Sequence, residues 1–368
     1  MDAPVLKVLY NATSARIGGG LSYATQQINA LAMLEDLRIT VLTSPWNHEH
    51  FAKLNARAAV ADLQQVSVLS ASWRFLWEQT VLPRLARQYD AIICPGNFAP
   101  WFTRTPVVLI LQNPNYVGAG RKLPQNRPLK RRAKIIASML SMRRASQVVL
   151  ISDSLKAEFE KEPWLAACSR IVVRSGAPRL PAPSRRAVLD CLDGVPLPRD
   201  FLVSVANDYP HKRLTDISLA FARLQPATVS ALVFIGDVSG SNRDNIRDAA
   251  GVRGSDVIFL GAVGSRSAVA SLYGSALAAV SASELEAFPL TLHEAGAMGC
   301  RLILSDIPPH RELAHGHATF FPLADPSALT TAIENAAQSP RPRPWTWTIS
   351  WEAHAEELNR VLHDTVKG

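Results

Sequence analysis

The chain has 368 residues, 48% of them apolar and 19% charged, and a net charge of +8. That length exceeds one comfortable core, so two domains are expected, and the composition excludes a disordered or fibrous chain. No apolar run reaches the roughly 18 to 20 residues of a membrane span, and residues 1–4 lack a basic, apolar leader, which points to a cytoplasmic protein.

In chain order, residues 6–10 predict a short buried strand, followed by the turn Gly18-Gly19-Gly20 and a helical stretch through Leu31. Residues 39–42, 91–94, 107–111 and 148–151 predict further buried strands, with helices over 73–88 and 129–144 between them. A Pro-rich stretch at 177–199 breaks this pattern and reads as an inter-domain connection. A second series then places strands at 201–205, 231–236, 257–261, 278–280 and 301–304, with a last helix near 351–366. Strands alternating with helices imply α/β domains with parallel sheets covered on both faces. The expected organisation is a first domain over 1–180, a linker over 181–199 and a second domain over 200–347, with a C-terminal helix at 348–368 returning to the first. Two doubly wound domains would place a ligand cleft at the carboxyl ends of their strands, between the lobes.

The charge is unevenly spread. Residues 1–180 carry 23 Lys and Arg against 11 Asp and Glu, and the remainder 16 against 20. Between Asp90 and Asp153 there is no acidic residue, while the segment 121–144 alone contains Arg121, Lys122, Arg127, Lys130, Arg131 and Arg132 and, beyond them, Lys134, Arg143 and Arg144. Such asymmetry points to an anionic partner for the first half. Leu129, Ala133, Ile136 and Leu140 fall on one helical face there. The segment therefore reads either as a basic amphipathic helix at an anionic membrane or as an ordinary core-facing helix with a solvated rim. The four cysteines, Cys94, Cys168, Cys191 and Cys300, are scattered, so neither a disulfide framework nor a metal site is expected.

Three features fall at the carboxyl ends of predicted strands. The glycine triplet lacks the G-x-G-x-x-G spacing of a dinucleotide fingerprint, but consecutive glycines let backbone N–H groups approach an anion. The loop from Asn207 through Tyr209, Pro210, His211 and Lys212 to Arg213 would aim a lysine into the cleft as a phosphate counter-charge. The run 283–299 sets Glu286 in a loop and Glu294 in the first turn of the next helix, where free N–H groups attract anions. Ser283 with Glu286, and Thr291 with Glu294, also have the spacing of Ser/Thr-x-x-Glu capping boxes, which alone could account for both carboxylates.

Together these residues resemble the retaining glycosyltransferases of the GT-B type, family 4, over nearly the whole chain and best in the second domain. The family's Glu-x7-Glu signature is matched at Glu286, Phe288, Leu290 and Glu294, and the helix continues through Ala295-Gly296-Ala297-Met298-Gly299. The segment 257–261 is similar to the one whose backbone contacts the base, the Tyr209–Lys212 loop to the phosphate-binding lysine loop, and Gly18 to Gly20 to the N-terminal Gly-rich loop. The resemblance implies two Rossmann-like domains and transfer of a sugar from a nucleoside diphosphate donor with retention, without a metal or other cofactor. It implies catalytic roles for Glu286 and Lys212. It implies donor contacts from Gly19, Gly20, Asn207, Arg213 and Leu260, and from Ala287, Phe288, Leu290 and Glu294, with Glu294 on the ribose and Glu286 at the sugar. Where members have an arginine five residues before the loop lysine, this chain has Asn207. Ala287 and Pro289 replace two motif glycines, and Gln112-Asn113 stands where a histidine is often found. Gln112, Asn113 and Tyr116 are the acceptor-side candidates.

Likeness of the Tyr209–Lys212 loop to mannosyltransferases implies GDP-mannose as donor, and the basic face a lipid-linked or oligosaccharide acceptor in bacterial surface polysaccharide assembly. Such an enzyme would work on the inner face of the cytoplasmic membrane. A non-hydrolysing nucleotide-sugar epimerase would need acid/base carboxylates and a histidine that the sequence does not place. A nucleic-acid-binding protein would fit the basic half, but no aromatic-interleaved basic motif is present and the second half is acidic, so no nucleic-acid partner is expected.

Overall fold

The computed structural model describes residues 5–16, 18–58, 62–67, 70–122, 128–192 and 198–367. The leader expectation at residues 1–4, residues 123–127 of the basic segment and residues 193–197 of the linker lie outside these. The chain divides into two units, one of Met1–Gly176 with Ile349–Gly368 and one of Ala177–Thr348.

The first unit is a seven-stranded sheet of β1 (Leu6–Asn11), β2 (Leu37–Thr43), β3 (Asp62–Gln65), β4 (Ala91–Gly96), β5 (Val107–Leu111), β6 (Gln147–Leu150) and β7 (Arg170–Val172). Its order is β3-β2-β1-β4-β5-β6-β7, and every pairing is parallel. The second unit has β8 (Leu202–Val205), β9 (Leu232–Ile235), β10 (Val257–Phe259), β11 (Ala278–Ser281), β12 (Arg301–Ser305) and β13 (Ala318–Phe321). They are ordered β10-β9-β8-β11-β12-β13, again all parallel. Each unit is thus a doubly wound α/β sheet, as the alternation of strands and helices implies. The apolar runs of the central strands follow from burial on both faces. Leu232 and Phe234 enter one core cluster while their neighbours Val233 and Ile235 enter the other, because successive side chains of a strand point to opposite faces.

The sequence reading misses three edge strands and joins two helices. β3 (Asp-Leu-Gln-Gln) and β7 are short, largely exposed edge strands, and such strands need no apolar run to be stable. β13 alternates partly exposed residues along another edge. The helix expected over 73–88 is three pieces, Ala71–Thr80, Leu82–Leu85 and a 3-10 turn Ala86–Gln88. Pro83 has no N–H to continue the first helix and sits instead in the first turn of the second.

Strand order reverses direction between β1 and β4 in the first sheet and between β8 and β11 in the second. Loops at those carboxyl ends diverge and leave a crevice. In the first unit the helix Trp351–Lys367 packs on the helix Gly19–Leu31. Tyr10 donates to Gln27 Oε1 at 2.7 Å, Gln27 Nε2 donates to His354 Nε2 at 2.7 Å, and His354 Nδ1 lies 2.9 Å from the Arg174 carbonyl. A carbonyl only accepts, so Nδ1 carries the proton and the ring is neutral; burial pushes its pKa down to about 4.

In the second unit Gly236 closes the β9 loop with φ +134°, and its N–H donates to the Gly261 carbonyl at 2.8 Å. A Cβ there would stand 2.1 Å from the Ala206 carbonyl oxygen. Gly236→Ala is therefore expected to destabilise the second unit by about 2 to 4 kcal/mol in chemical denaturation, since both the backbone angle and the clash oppose it. An unchanged denaturation midpoint would contradict this close approach.

Candidate active site

The switch point of the second sheet gathers the loop after β8 and the loop after β11. After β8 the chain makes a 3-10 turn, Pro210–Lys212, and Arg213 (φ 49°) starts the helix Leu214–Phe221 in a left-handed conformation. This abrupt turn brings Lys212 Nζ to 2.6 Å from Glu286 Oε1. The Glu284 N–H donates to the His211 carbonyl at 2.8 Å, so the two loops are also joined through backbone. Arg213 is held by Asp216 at 2.6 Å and by Glu284. Asn207 accepts weakly from the Asp237 N–H at 3.3 Å.

Burial works against ionisation of Glu286. The Lys212 charge and hydrogen bonds from Lys212 and Ser283 outweigh it, and the carboxyl is held below its usual range. The pair is thus an ion pair at neutral pH, with Lys212 the fixed cation. His310, on the helix Pro308–Ala314, is fully buried. Its Nδ1 lies 2.8 Å from the Ser305 carbonyl, and its Nε2 has no hydrogen-bond partner. Burial lowers the pKa of His310, and burial with Lys212 lowers that of His211 to about 4, so both rings are neutral beside the pair.

Glu294 sits apart from this pair, in the helix Leu290–Ala297, where its carboxylate accepts from Arg266 of the helix Arg266–Ser275. Burial raises its pKa against the opposing effect of Arg266. The hydroxyl of Tyr273, whose titration burial and then the Glu294 charge push up, has no hydrogen-bond partner. Tyr273, Val205, Ser281 and Thr291 line a narrow crevice at the carboxyl ends of β8 and β11.

Two expectations about this run are corrected. Glu294 is the fifth residue of its helix, one turn further in than the first turn where the spacing placed it. Neither capping box forms: the helix N-cap is Pro289, which supplies no side-chain cap, and no helix begins near Ser283, whose hydroxyl interaction with Glu286 lies within a loop. Capping therefore accounts for neither carboxylate.

Ala287, Phe288 and Leu290 are buried. Phe288 stacks on His293 with centroids 4.9 Å apart, and Trp347 meets both rings. Leu260, just past β10, donates its N–H to the Phe234 carbonyl at 3.0 Å.

In the first unit Gly19 and Gly20 form the exposed first turn of the helix that follows β1, with open space around both and no side-chain cap. Gln112, Asn113 and Tyr116 follow β5. The Gln112 side-chain nitrogen is buried without a partner, Asn113 caps the turn Pro114–Tyr116, and Tyr116 packs on Phe98 with centroids 5.9 Å apart. Arg266, Tyr273, Glu284 and His310 escaped the sequence reading. Each adjoins site residues distant in sequence, and no local spacing marks it.

Residues 194–344 match the model of the family described as "Glycosyl transferases group 1". No curated protein matches the chain significantly in sequence. Among solved structures the chain is similar to a sucrose-phosphate synthase from Thermosynechococcus elongatus, at 16% identity and TM-score 0.71, covering 98% of each chain. It is similar to HepE of Anabaena in complex with UDP and glucose, at 16% identity and TM-score 0.67, covering 98% of this chain and 96% of that one. A glycosyltransferase from Rickettsia africae is similar at 14% identity and TM-score 0.65, covering 99% of each. These likenesses establish the GT-B fold. The family match lies within the second unit, which is a group 1 glycosyltransferase domain.

Proposed function

We infer that this glycosyltransferase moves a sugar from a nucleoside diphosphate donor held by its second unit, with retention at the anomeric carbon, to a saccharide or lipid-linked acceptor. The Lys212–Glu286 ion pair at the switch point carries the reading. A leaving diphosphate gathers negative charge as the glycosidic bond breaks, and a cation already fixed there lowers the barrier without reorganising. Lys212 fills that role. Glu286, ionised well into the acid range, accepts from hydroxyls of the transferred sugar. Glu294, one helix turn beyond the loop, accepts from the two ribose hydroxyls in a fork, and the backbone at Leu260 meets the base. Arg213 is engaged by Asp216 and Glu284, so its part is to shape the loop more than to bind phosphate. Gly19 and Gly20 offer free N–H groups to an anion in the first unit, and Gln112, Asn113 and Tyr116 are its acceptor contacts. A cytoplasmic step in bacterial surface polysaccharide assembly, using its donor without a metal or other cofactor, fits these assignments.

GDP-mannose is the proposed donor, on the likeness of the Tyr209–Lys212 loop. The UDP and glucose bound by HepE make UDP-glucose the second reading. Thermal unfolding with UDP, GDP, ADP and dTDP separates them. At a hundredfold excess over Kd the recognised nucleotide is expected to raise Tm by about 5 °C or more. A UDP response would displace mannose, and no response to any nucleoside diphosphate would overturn the transferase site.

A further inference from the structure

The helix Pro128–Arg144 is turned outward on its apolar side. Leu129 is 78% exposed, Ile136 56% and Leu140 37%, and Ala133 is exposed beside them. At 100° per residue these four positions fall within about 60° of one another and form a single stripe. The buried side is the more polar one. Arg131 is buried and donates to the Gly120 carbonyl, and Ser138 and Ser141 lie inside with Met139 and Met142. This overturns the reading of an ordinary core-facing helix. The core takes the polar face because Arg131 reaches the Gly120 carbonyl there and the Ser141 hydroxyl accepts from Trp101 Nε1 at 3.0 Å.

Exposed Arg132 and Arg143 flank the stripe on one side, and exposed Lys130, Lys134 and Arg144 on the other. Phe102, 72% exposed, extends it, with the Arg144 guanidinium 5.4 Å from its ring. Four aligned apolar side chains facing water are a cost that soluble surfaces avoid unless something covers them.

We propose that this face docks on an anionic lipid bilayer. The stripe lies at the depth of the acyl boundary, and the basic side chains reach back to the headgroup phosphates from both sides. Two other occupants fit less well. A second copy related by a two-fold axis would bring arginines against arginines. A nucleic acid would meet its phosphates with the flanking charges but gain nothing from the aliphatic stripe between them. The proposal gives the acceptor reading a physical site, since a lipid-linked acceptor is presented at a bilayer surface. It rests on that reading only for its purpose, because the surface itself belongs to the first unit while Lys212, Glu286 and Glu294 belong to the second.

The test is co-sedimentation of the full chain with phosphatidylcholine vesicles, with and without phosphatidylglycerol. Binding is expected to need phosphatidylglycerol and to fall as salt rises. The double variant Leu129→Ser with Ile136→Ser is expected to bind at least about tenfold more weakly, and Arg132→Glu with Arg143→Glu similarly. All four side chains are exposed, so the nucleotide-induced rise in Tm should be unchanged. That control separates failure of the surface from failure of the donor site. Equal binding by the Leu129→Ser, Ile136→Ser variant would mean adsorption by charge alone and would overturn the proposal. So would tighter binding to oligonucleotides than to vesicles, or a dimer in sedimentation velocity that this variant abolishes.

Discussion

Glu286→Ala is expected to lower kcat by about two to three orders of magnitude while leaving nucleoside diphosphate affinity within about twofold. The Glu286 carboxylate is held at 2.6 Å by Lys212, and the neutral His310 ring adjoins them. Removing it leaves the lysine free to meet a diphosphate, so binding of the nucleotide survives. What is lost is the acceptor for the sugar hydroxyls, whose bonds tighten as the sugar acquires positive charge, and with it the orientation of the anomeric carbon. Glu286→Gln keeps the shape and removes the charge, and should fall between the two. Because the carboxyl is held below its usual range, the acid limb of the wild-type rate profile should lie below the ordinary glutamate pKa. The same depressed pKa gives stability that is present above the unfolded-state pKa and lost as pH falls through the folded one. Initial rates and titration calorimetry with the nucleotide read the two effects separately. Nucleotide affinity lost at an unchanged kcat would reverse the assignment.

The elements legible in the sequence are those whose residues report burial. β5, Val-Val-Leu-Ile-Leu, is buried at all five positions, and so announces a central strand of a parallel sheet. β3, Asp-Leu-Gln-Gln, exists because β2 offers it a free edge, and its own residues carry no such signal. At the site, the spacing of Glu286 and Glu294 spans a loop and the start of a helix. Spacing was silent on what each carboxylate meets. Lys212 lies 74 residues from Glu286 and Arg266 28 from Glu294, and only the strand order brings them together. Helix Pro128–Arg144 shows the limit most clearly. Periodicity correctly put Leu129, Ala133, Ile136 and Leu140 on one face, but whether that face turns in or out depends on the partners, Gly120 and Trp101, that Arg131 and Ser141 find elsewhere.

Glu294→Gln is expected to weaken nucleoside diphosphate binding about tenfold to a hundredfold, since hydrogen bonds to a charged acceptor are worth about 1.5 to 3 kcal/mol. Stability should not follow. Glu294 is 3% exposed, and keeping its carboxylate ionised there is costly, whereas the side chain of its partner Arg266 is 42% exposed and regains water when the pair is broken. A structural role for the pair would predict the reverse, a lower denaturation midpoint with affinity unchanged. The pH dependence sharpens the contrast. A carboxyl whose folded pKa is raised binds its proton more tightly when folded, so its contribution to stability grows as pH falls through that pKa. Over the same window the protonated group stops accepting from both ribose hydroxyls, and nucleotide affinity drops. Binding and stability are thus expected to move in opposite directions on acidification in the wild type, and the Gln variant should lose that difference. Nucleotide Kd and denaturation midpoint measured across the acid range for both proteins decide it. If the two quantities fall together, Glu294 is a structural ion-pair residue and the ribose contact lies elsewhere.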